Sequence, residues 1–185
     1  MTKPSFLPLR GNFRDLIAFQ KAECIYDVTV LFTRKYLSIG DRTIDQMVQA
    51  ARSGKQNIAE GCAASTTSRE TEIKLLNVAK ASLQELLLDF EDYLRINNLG
   101  LWGVENPRLE RLRRLCSAHN ESAFYRELFD KCTAEMAANL AVTLIHQTDV
   151  FLRKLMERAK ADILECGGIR EQMTRGRIEF RNSQK

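Results

Sequence analysis

Residues 67–98 read TSRETEIKLLNVAKASLQELLLDFEDYLRINN, and their spacing decides the fold class. Ile73, Leu76, Lys80, Leu83, Leu87, Phe90 and Leu94 step in alternating threes and fours. That is the period of an amphipathic helix with one buried seam. Lys80 is its only polar member. Thr67-Ser68-Arg69-Glu70 reads as a capping box, with Thr67 as N-cap and Glu70 at the third helical position. Asn97-Asn98 closes the segment. A stripe of this length belongs to the core of a helical bundle rather than to a cofactor box.

The rest of the chain repeats the pattern. From Asn12 to about Tyr36, Phe13, Leu16, Ile17, Ala22, Cys24, Ile25, Val28, Leu31 and Phe32 recur at helical spacing. After Ser38-Ile39-Gly40, Asp41 is placed to cap a second helix that buries Ile44, Met47, Val48, Ala51 and Ile58. Gly61 is expected to end it, since a residue without Cβ takes the left-handed conformation of a helix terminator. Gly54, inside that helix, costs about 1 kcal/mol relative to alanine unless a neighbouring helix packs close there. Residues 99–134 interrupt the rhythm. There Asn106-Pro107 starts a short helix, Arg108 to Cys116, and Ser122 starts another. The last long helix presents Met136, Leu140, Leu144, Phe151 and Leu155, with Ile145 and Leu152 widening the stripe, and Cys166-Gly167-Gly168 stops it. The segment from Ile169 to Lys185 reads as a short helix, an arm or a disordered tail. The fold class is therefore all-α: an antiparallel four-helix bundle over residues 1–166, with a helical insert at about 99–134 and a short basic C-terminal extension at 167–185.

Composition limits what such a chain can be. Of 185 residues, 44% are apolar and 28% charged, with only 3 Pro and 9 Gly, which excludes collagen-like and linker-dominated chains. No apolar run approaches the roughly 20 residues of a bilayer span, and the opening Met-Thr-Lys-Pro-Ser-Phe lacks the apolar core of a secretory signal. A cytoplasmic protein without membrane contact is expected. Cys24, Cys62, Cys116, Cys132 and Cys166 form no Cys-x-x-Cys pair, so they read as small hydrophobes in a reducing compartment. The net charge of +4 is unevenly distributed. Residues 1–66 carry 9 basic against 6 acidic groups, the insert segment 99–120 carries 4 against 2, and the tail from 167 carries 5 against 2. That distribution permits a polyanionic partner.

No catalytic constellation emerges. His119 falls in a polar loop, and His146 falls on or beside the apolar face of the last helix, where a packed, structural role is expected. There is no Glu-x-x-His pair, phosphate loop, His-Glu-x-x-His or EF-hand, so neither metal nor cofactor nor enzymatic activity is expected. One segment looks specified beyond patterning: residues 46–61, QMVQAARSGKQNIAEG. Glu60 near a helix C-terminus meets the negative end of the helix dipole and calls for a compensating partner. With Asn57 and Gly61 it reads as a structural polar clasp between the second and third helices.

The stretch Gln46…Asn57-Ile58-Ala59-Glu60-Gly61, followed by Ser68-Arg69-Glu70 and Leu76…Ala79…Ser82-Leu83…Glu85-Leu86, resembles the bacterial four-helix-bundle family often labelled 23S rRNA intervening-sequence protein. Phe13-Arg14-Asp15-Leu16…Ala18-Phe19-Gln20-Lys21-Ala22 is similar to its first helix, and Asn139-Leu140…Thr143-Leu144-Ile145-His146-Gln147 to the start of its last. The end, Cys166 to Met173, is similar to a suffix carried by one subgroup. Arg52-Ser53-Gly54-Lys55-Gln56 stands where that family usually has apolar residues and Pro. The resemblance implies a non-enzymatic, ring-forming, often pentameric bundle. One branch comprises accessory variability proteins of retroelements, which work with a reverse transcriptase and its RNA.

Two functions remain open at this level. One is a non-catalytic homo-oligomer that interacts with RNA or DNA, as accessory to a reverse transcriptase or another enzyme. The other is a protein–protein scaffold or adaptor whose basic groups are merely solvated. For the first, the candidate phosphate-binding residues are Arg14 and Lys21, seven apart and so on one side of the first helix, with Arg10 extending the line. Arg52 and Lys55, three apart on the second helix, join them. Arg111, Arg113 and Arg114 of the insert form a second group, since guanidinium forks suit phosphates.

Overall fold

The computed structural model describes residues 12–184, and within them every regular element is helical. Seven α-helices follow a short 3-10 turn at Phe13–Asp15: α1 Ile17–Tyr36, α2 Thr43–Ala64, α3 Arg69–Ile96, α4 Pro107–Ala118, α5 Ser122–Phe129, α6 Ala134–Cys166 and α7 Ile169–Ser183. At 1.5 Å per residue, α3 spans about 42 Å and α6 about 50 Å. No helix among the described residues is long and apolar enough to cross a membrane.

The helix ends depart from expectation for local reasons. The first helix does not begin at Asn12. That side chain accepts the Arg14 N–H at 3.2 Å and caps a separate 3-10 turn, after which Leu16 is extended. A short polar side chain has here offered the backbone an alternative to the helix. Nor does Gly61 end α2, which continues to Ala64. The hydroxyls of Ser65, Thr66 and Thr67 bond back to the carbonyls of Cys62, Ala63 and Ala64 at 2.7–3.1 Å, satisfying groups that a C-terminal glycine motif would otherwise serve. Thr67 is thereby spent on α2, and Ser68 becomes the N-cap of α3, accepting the Thr71 N–H at 3.1 Å. Likewise Arg42 occupies the N-cap of α2, one residue past Asp41. The Asp41 carboxylate still accepts the Thr43 N–H at 2.9 Å, which holds its pKa below the ordinary value. The expected Asn106-Pro107 start of α4 is present, with the Asn106 side chain accepting the Arg108 N–H.

α2 packs on α1 and α3, and α6 packs on the other sides of the same two helices, so the four long helices enclose one core. Phe32 lies at its centre, edge-on to Phe90 at 5.0 Å and to Tyr93 at 4.8 Å. The polar and close contacts of α3 run along its length on both α2 and α6. Along α2 and α3, the Ser53 and Ser82 hydroxyls bond at 2.9 Å, Gly54 faces Leu83, and Gly61 faces Leu76. Along α3 and α6, Arg69 pairs with Asp162 at 2.8 Å and Lys80 with Asp149 at 3.3 Å. The polar interruption in the α3 seam is thus an ion pair at the edge of the core. Gly54 serves close approach, since a Cβ there would lie 2.8 Å from Leu83 Cδ2, whereas one on Gly61 would meet Leu76 and the Glu72 carbonyl in ordinary contact at 3.5 Å.

The insert folds back over this core. Asn139 of α6, 2% exposed, holds its entry: its amide donates to the Gly100 carbonyl and its oxygen accepts the Trp102 N–H. α4 lies on α6 and α5 on α1, the latter pinned by Arg126 and Ser122 on Asp27. After Gly167, at φ +78°, α7 forms a regular helix none of whose residues is buried.

Candidate nucleic-acid interface

Most of the insert's positive charge sits on α4. Its twelve residues hold four arginines against one glutamate, and Arg108, Arg111, Arg113 and Arg114 are all exposed. Arg114 is neutralised by Glu110, one turn earlier, at 2.8 Å. The Arg108 guanidinium lies over the Trp102 ring at 5.8 Å. Arg111 and Arg113 make no ion pair among the described residues. The helix is amphipathic, so Leu109, Leu112 and Cys116 are buried beneath while the arginines point outward.

α4 is also mounted firmly. Gln147 of α6 donates to the Arg113 carbonyl and the Ser117 hydroxyl, both at 3.0 Å. The Tyr125 hydroxyl donates to the His119 carbonyl at 2.7 Å. From below, the Lys21 ammonium donates to the Cys116 carbonyl at 2.5 Å. That carbonyl belongs to the last turn of α4, whose C=O groups lack helical partners and carry the negative end of the dipole.

Lys21 therefore leaves the phosphate-binding group proposed from the sequence. It is 2% exposed, and burial lowers its pKa. It lies three residues before Cys24 and four before Ile25, on the apolar stripe of α1. The seven-residue interval from Arg14 put the two on one side, but the extended Leu16 breaks the helix between them. Arg14 is exposed with its guanidinium 4.7 Å from the Phe13 ring centre. Arg52 is exposed, whereas the half-buried Lys55 lies over the Tyr26 ring at 4.3 Å. The α1–α2 side thus offers scattered cations, two of them engaged by aromatic faces. Arg10 lies outside the described residues.

Glu60 is exposed, one turn short of the helix end, and the Asn57 amide donates to Ser53 within α2 at 2.9 Å. The α2–α3 clasp is made instead by Gly54, Gly61 and the Ser53–Ser82 hydroxyl pair. His146 is exposed rather than packed, at the mouth of a cleft of about 490 Å³ between the insert and α6 that Trp102 and Arg113 also line. His119 stacks on Phe124 with ring centres 3.7 Å apart. Among the described residues, no group of three or more His, Cys, Asp or Glu is placed to hold a metal ion. Four cysteines are buried, and burial raises Cys24 and Cys116 to about 12. Cys166 is exposed.

Lys21, Asn139 and Gln147, which hold the insert in place, went unrecognised in the sequence. Lys21 alone had a visible signal, a cation at a core position of an apolar stripe. No family model matches the chain, and no curated protein or solved structure matches it.

Proposed function

We propose that this chain is a non-catalytic, homo-oligomeric helical protein that holds RNA or DNA by its phosphates, with α4 as the principal contact surface, as accessory to a nucleic-acid enzyme. One observation carries the reading: Arg108, Arg111 and Arg113 stand exposed, without an acidic partner among the described residues, on a helix pinned from beneath. Guanidinium groups held at fixed spacing suit phosphate oxygens, and contacts of this kind carry no base preference. The bundle assignment belongs to the same reading. The short connections from α1 to α2 and from α2 to α3, together with the Ser53–Ser82, Arg69–Asp162 and Lys80–Asp149 pairs, support an antiparallel four-helix bundle of α1, α2, α3 and α6. That architecture supports placing the chain with the rRNA intervening-sequence family, whose rings suggest five subunits. Burial of four of the five cysteines as small hydrophobes supports a reducing, cytoplasmic setting.

A second reading, a protein-binding scaffold, is favoured by exposed apolar residues on one side. Val78, Leu88 and Ile96 of α3, Leu101 and Val104 of the insert, and Val150 of α6 are each at least 42% exposed. The two readings separate on salt. Retention of single-stranded RNA should fall steeply between about 50 and 200 mM salt. Reversing Arg108, Arg111 and Arg113 to glutamate should abolish it, while reversing Arg52 and Lys55 should weaken it less. If the α4 variant binds as the parent does, this surface is wrong. If the parent binds nothing at 50 mM salt, the scaffold reading replaces it.

A further inference from the structure

α7 carries four exposed arginines and an apolar stripe, none of which is buried among the described residues. Ile169, Met173, Gly176 and Phe180 recur at intervals of four, three and four, within a narrow arc of the helix. Met173 is 52% and Phe180 61% exposed. Arg170, Arg177 and Arg181 line one flank of that arc and form no ion pair among the described residues.

α3 has the complementary face. Beside its buried seam runs a second, outward row at the same spacing: Val78, Ala81, Glu85, Leu88, Asp92 and Ile96, every one exposed. Asp89 borders this row. One of its carboxylate oxygens is sealed from solvent and accepts no hydrogen bond, and burial, with Glu85 and Asp92 nearby, raises its pKa. Arg95 is the only cation in that half of the helix, and it is already paired with Asp92. A row of this kind, apolar and acidic, lacks a basic, apolar cover.

α7 of the same molecule cannot be that cover. The start of α7 is tied to the start of α3, where the Ile169 N–H helps stabilise the Glu70 carboxylate. Leu88 lies about 27 Å along α3 from Glu70, whereas Ile169 to Phe180 covers only about 17 Å. α7 therefore falls short of the acidic segment of its own α3.

We propose that α7 of one copy docks on the outward face of α3 of a second copy. The Ile169–Met173–Gly176–Phe180 stripe lies against Val78, Ala81 and Leu88, and Arg177 and Arg181 face Glu85, Asp89 and Asp92. Gly176, between Met173 and Phe180, leaves a shallow hollow that receives a side chain of the partner row. Because the two patches differ, the contact closes by reciprocal exchange across a two-fold axis or by a ring. This inference rests on the homo-oligomer reading above and names the surface that forms it.

The test is the mass of the full chain by light scattering across micromolar concentrations, without nucleic acid. The parent should be an oligomer. Phe180→Asp should weaken association by about thirtyfold or more, as loss of an interface anchor does. Arg177→Glu with Arg181→Glu should dissociate the assembly, and so should Glu85→Arg with Asp92→Arg. These positions are exposed, so circular dichroism should show unchanged helicity. Combining all four substitutions in one chain restores opposite charges across the contact and should restore the oligomer. A monomeric parent overturns both this inference and the homo-oligomer reading. An oligomeric parent whose mass survives every α7 substitution overturns the α7–α3 contact alone.

Discussion

Replacing Lys21 with methionine separates a buried structural cation from a phosphate-binding one. The side chain keeps its length and apolar stem but loses the ammonium that donates to the Cys116 carbonyl at 2.5 Å. A hydrogen bond to a charged group contributes about 1.5–3 kcal/mol, and the cation at the end of α4 adds up to about 1 kcal/mol. Against this, methionine removes the burial penalty that lowers the lysine pKa. The carbonyl then remains in the interior with only the Tyr125 hydroxyl, 3.5 Å away, as a weak donor. The balance is a loss of about 1–3 kcal/mol. It should fall mainly on the insert, because the bond joins α1 to α4. Urea unfolding gives the global change, and alkylation of the buried Cys116 thiol reports local opening of α4. The labelling rate should rise about tenfold or more, since 1.4 kcal/mol corresponds to a factor of ten. An unchanged urea midpoint with unchanged Cys116 protection would refute the role assigned to Lys21. So would loss of RNA retention in a variant of parental stability, which would return Lys21 to the binding surface.

Two further perturbations test the interior. Gly54→Val should destabilise by about 2 kcal/mol or more despite its better helix propensity, because Leu83, itself 2% exposed, stands 2.8 Å from the new Cβ; a stabilised variant by urea unfolding would remove the close α2–α3 approach. Stability should also decline above about pH 9. Cys24 and Cys116 keep their protons to about 12 in the folded state, while the unfolded chain releases them near 9, so folding loses about 1.4 kcal/mol per pH unit for each thiol. Lys21 opposes this between its lowered pKa and 10.5, where the unfolded chain holds the extra proton, but it is one group against two. A urea midpoint that stays flat from pH 8 to 10 would contradict the burial of these thiols.

Helix content was legible because it rests on periodicity, which each segment carries by itself. Of the seam named by threes and fours, Leu76, Leu83, Leu87, Phe90 and Leu94 are buried and Ile73 is half-buried, while Glu72, Ala79 and Leu86 are buried beside them. Helix ends were less legible, for a specific reason. At Ser65-Thr66-Thr67-Ser68, four hydroxyls in a row can each cap a carbonyl behind or an amide ahead, and the pattern does not say where the assignment switches. Three turn back to α2 and the fourth turns forward to α3, which moved both boundaries. Gly61 misled in a related way. A glycine near a helix end suits a terminator and a packing point equally, and only the neighbour across the gap, Leu76, decides.

The candidate site was less legible than the fold because charge has no period. Arg14, Lys21, Arg52 and Lys55 were grouped by spacing along single helices, yet what a cation does depends on what lies opposite. Opposite Lys21 is a carbonyl ninety-five residues away, and opposite Lys55 is the ring of Tyr26. Arg111 and Arg113 of α4 escaped that fate because the helix has only three buried positions, Leu109, Leu112 and Cys116, all on one side. A twelve-residue helix docked by one narrow face must leave its other residues in water, whatever they are. Arg111 and Arg113 there form no ion pair among the described residues, and crowding four like charges costs stability at low salt. A polyanion held against that surface removes this cost, and the Lys21 bond keeps the surface fixed while it does so. On the function proposed here, the insert is the part of the chain where the demands of folding and of binding separate most clearly.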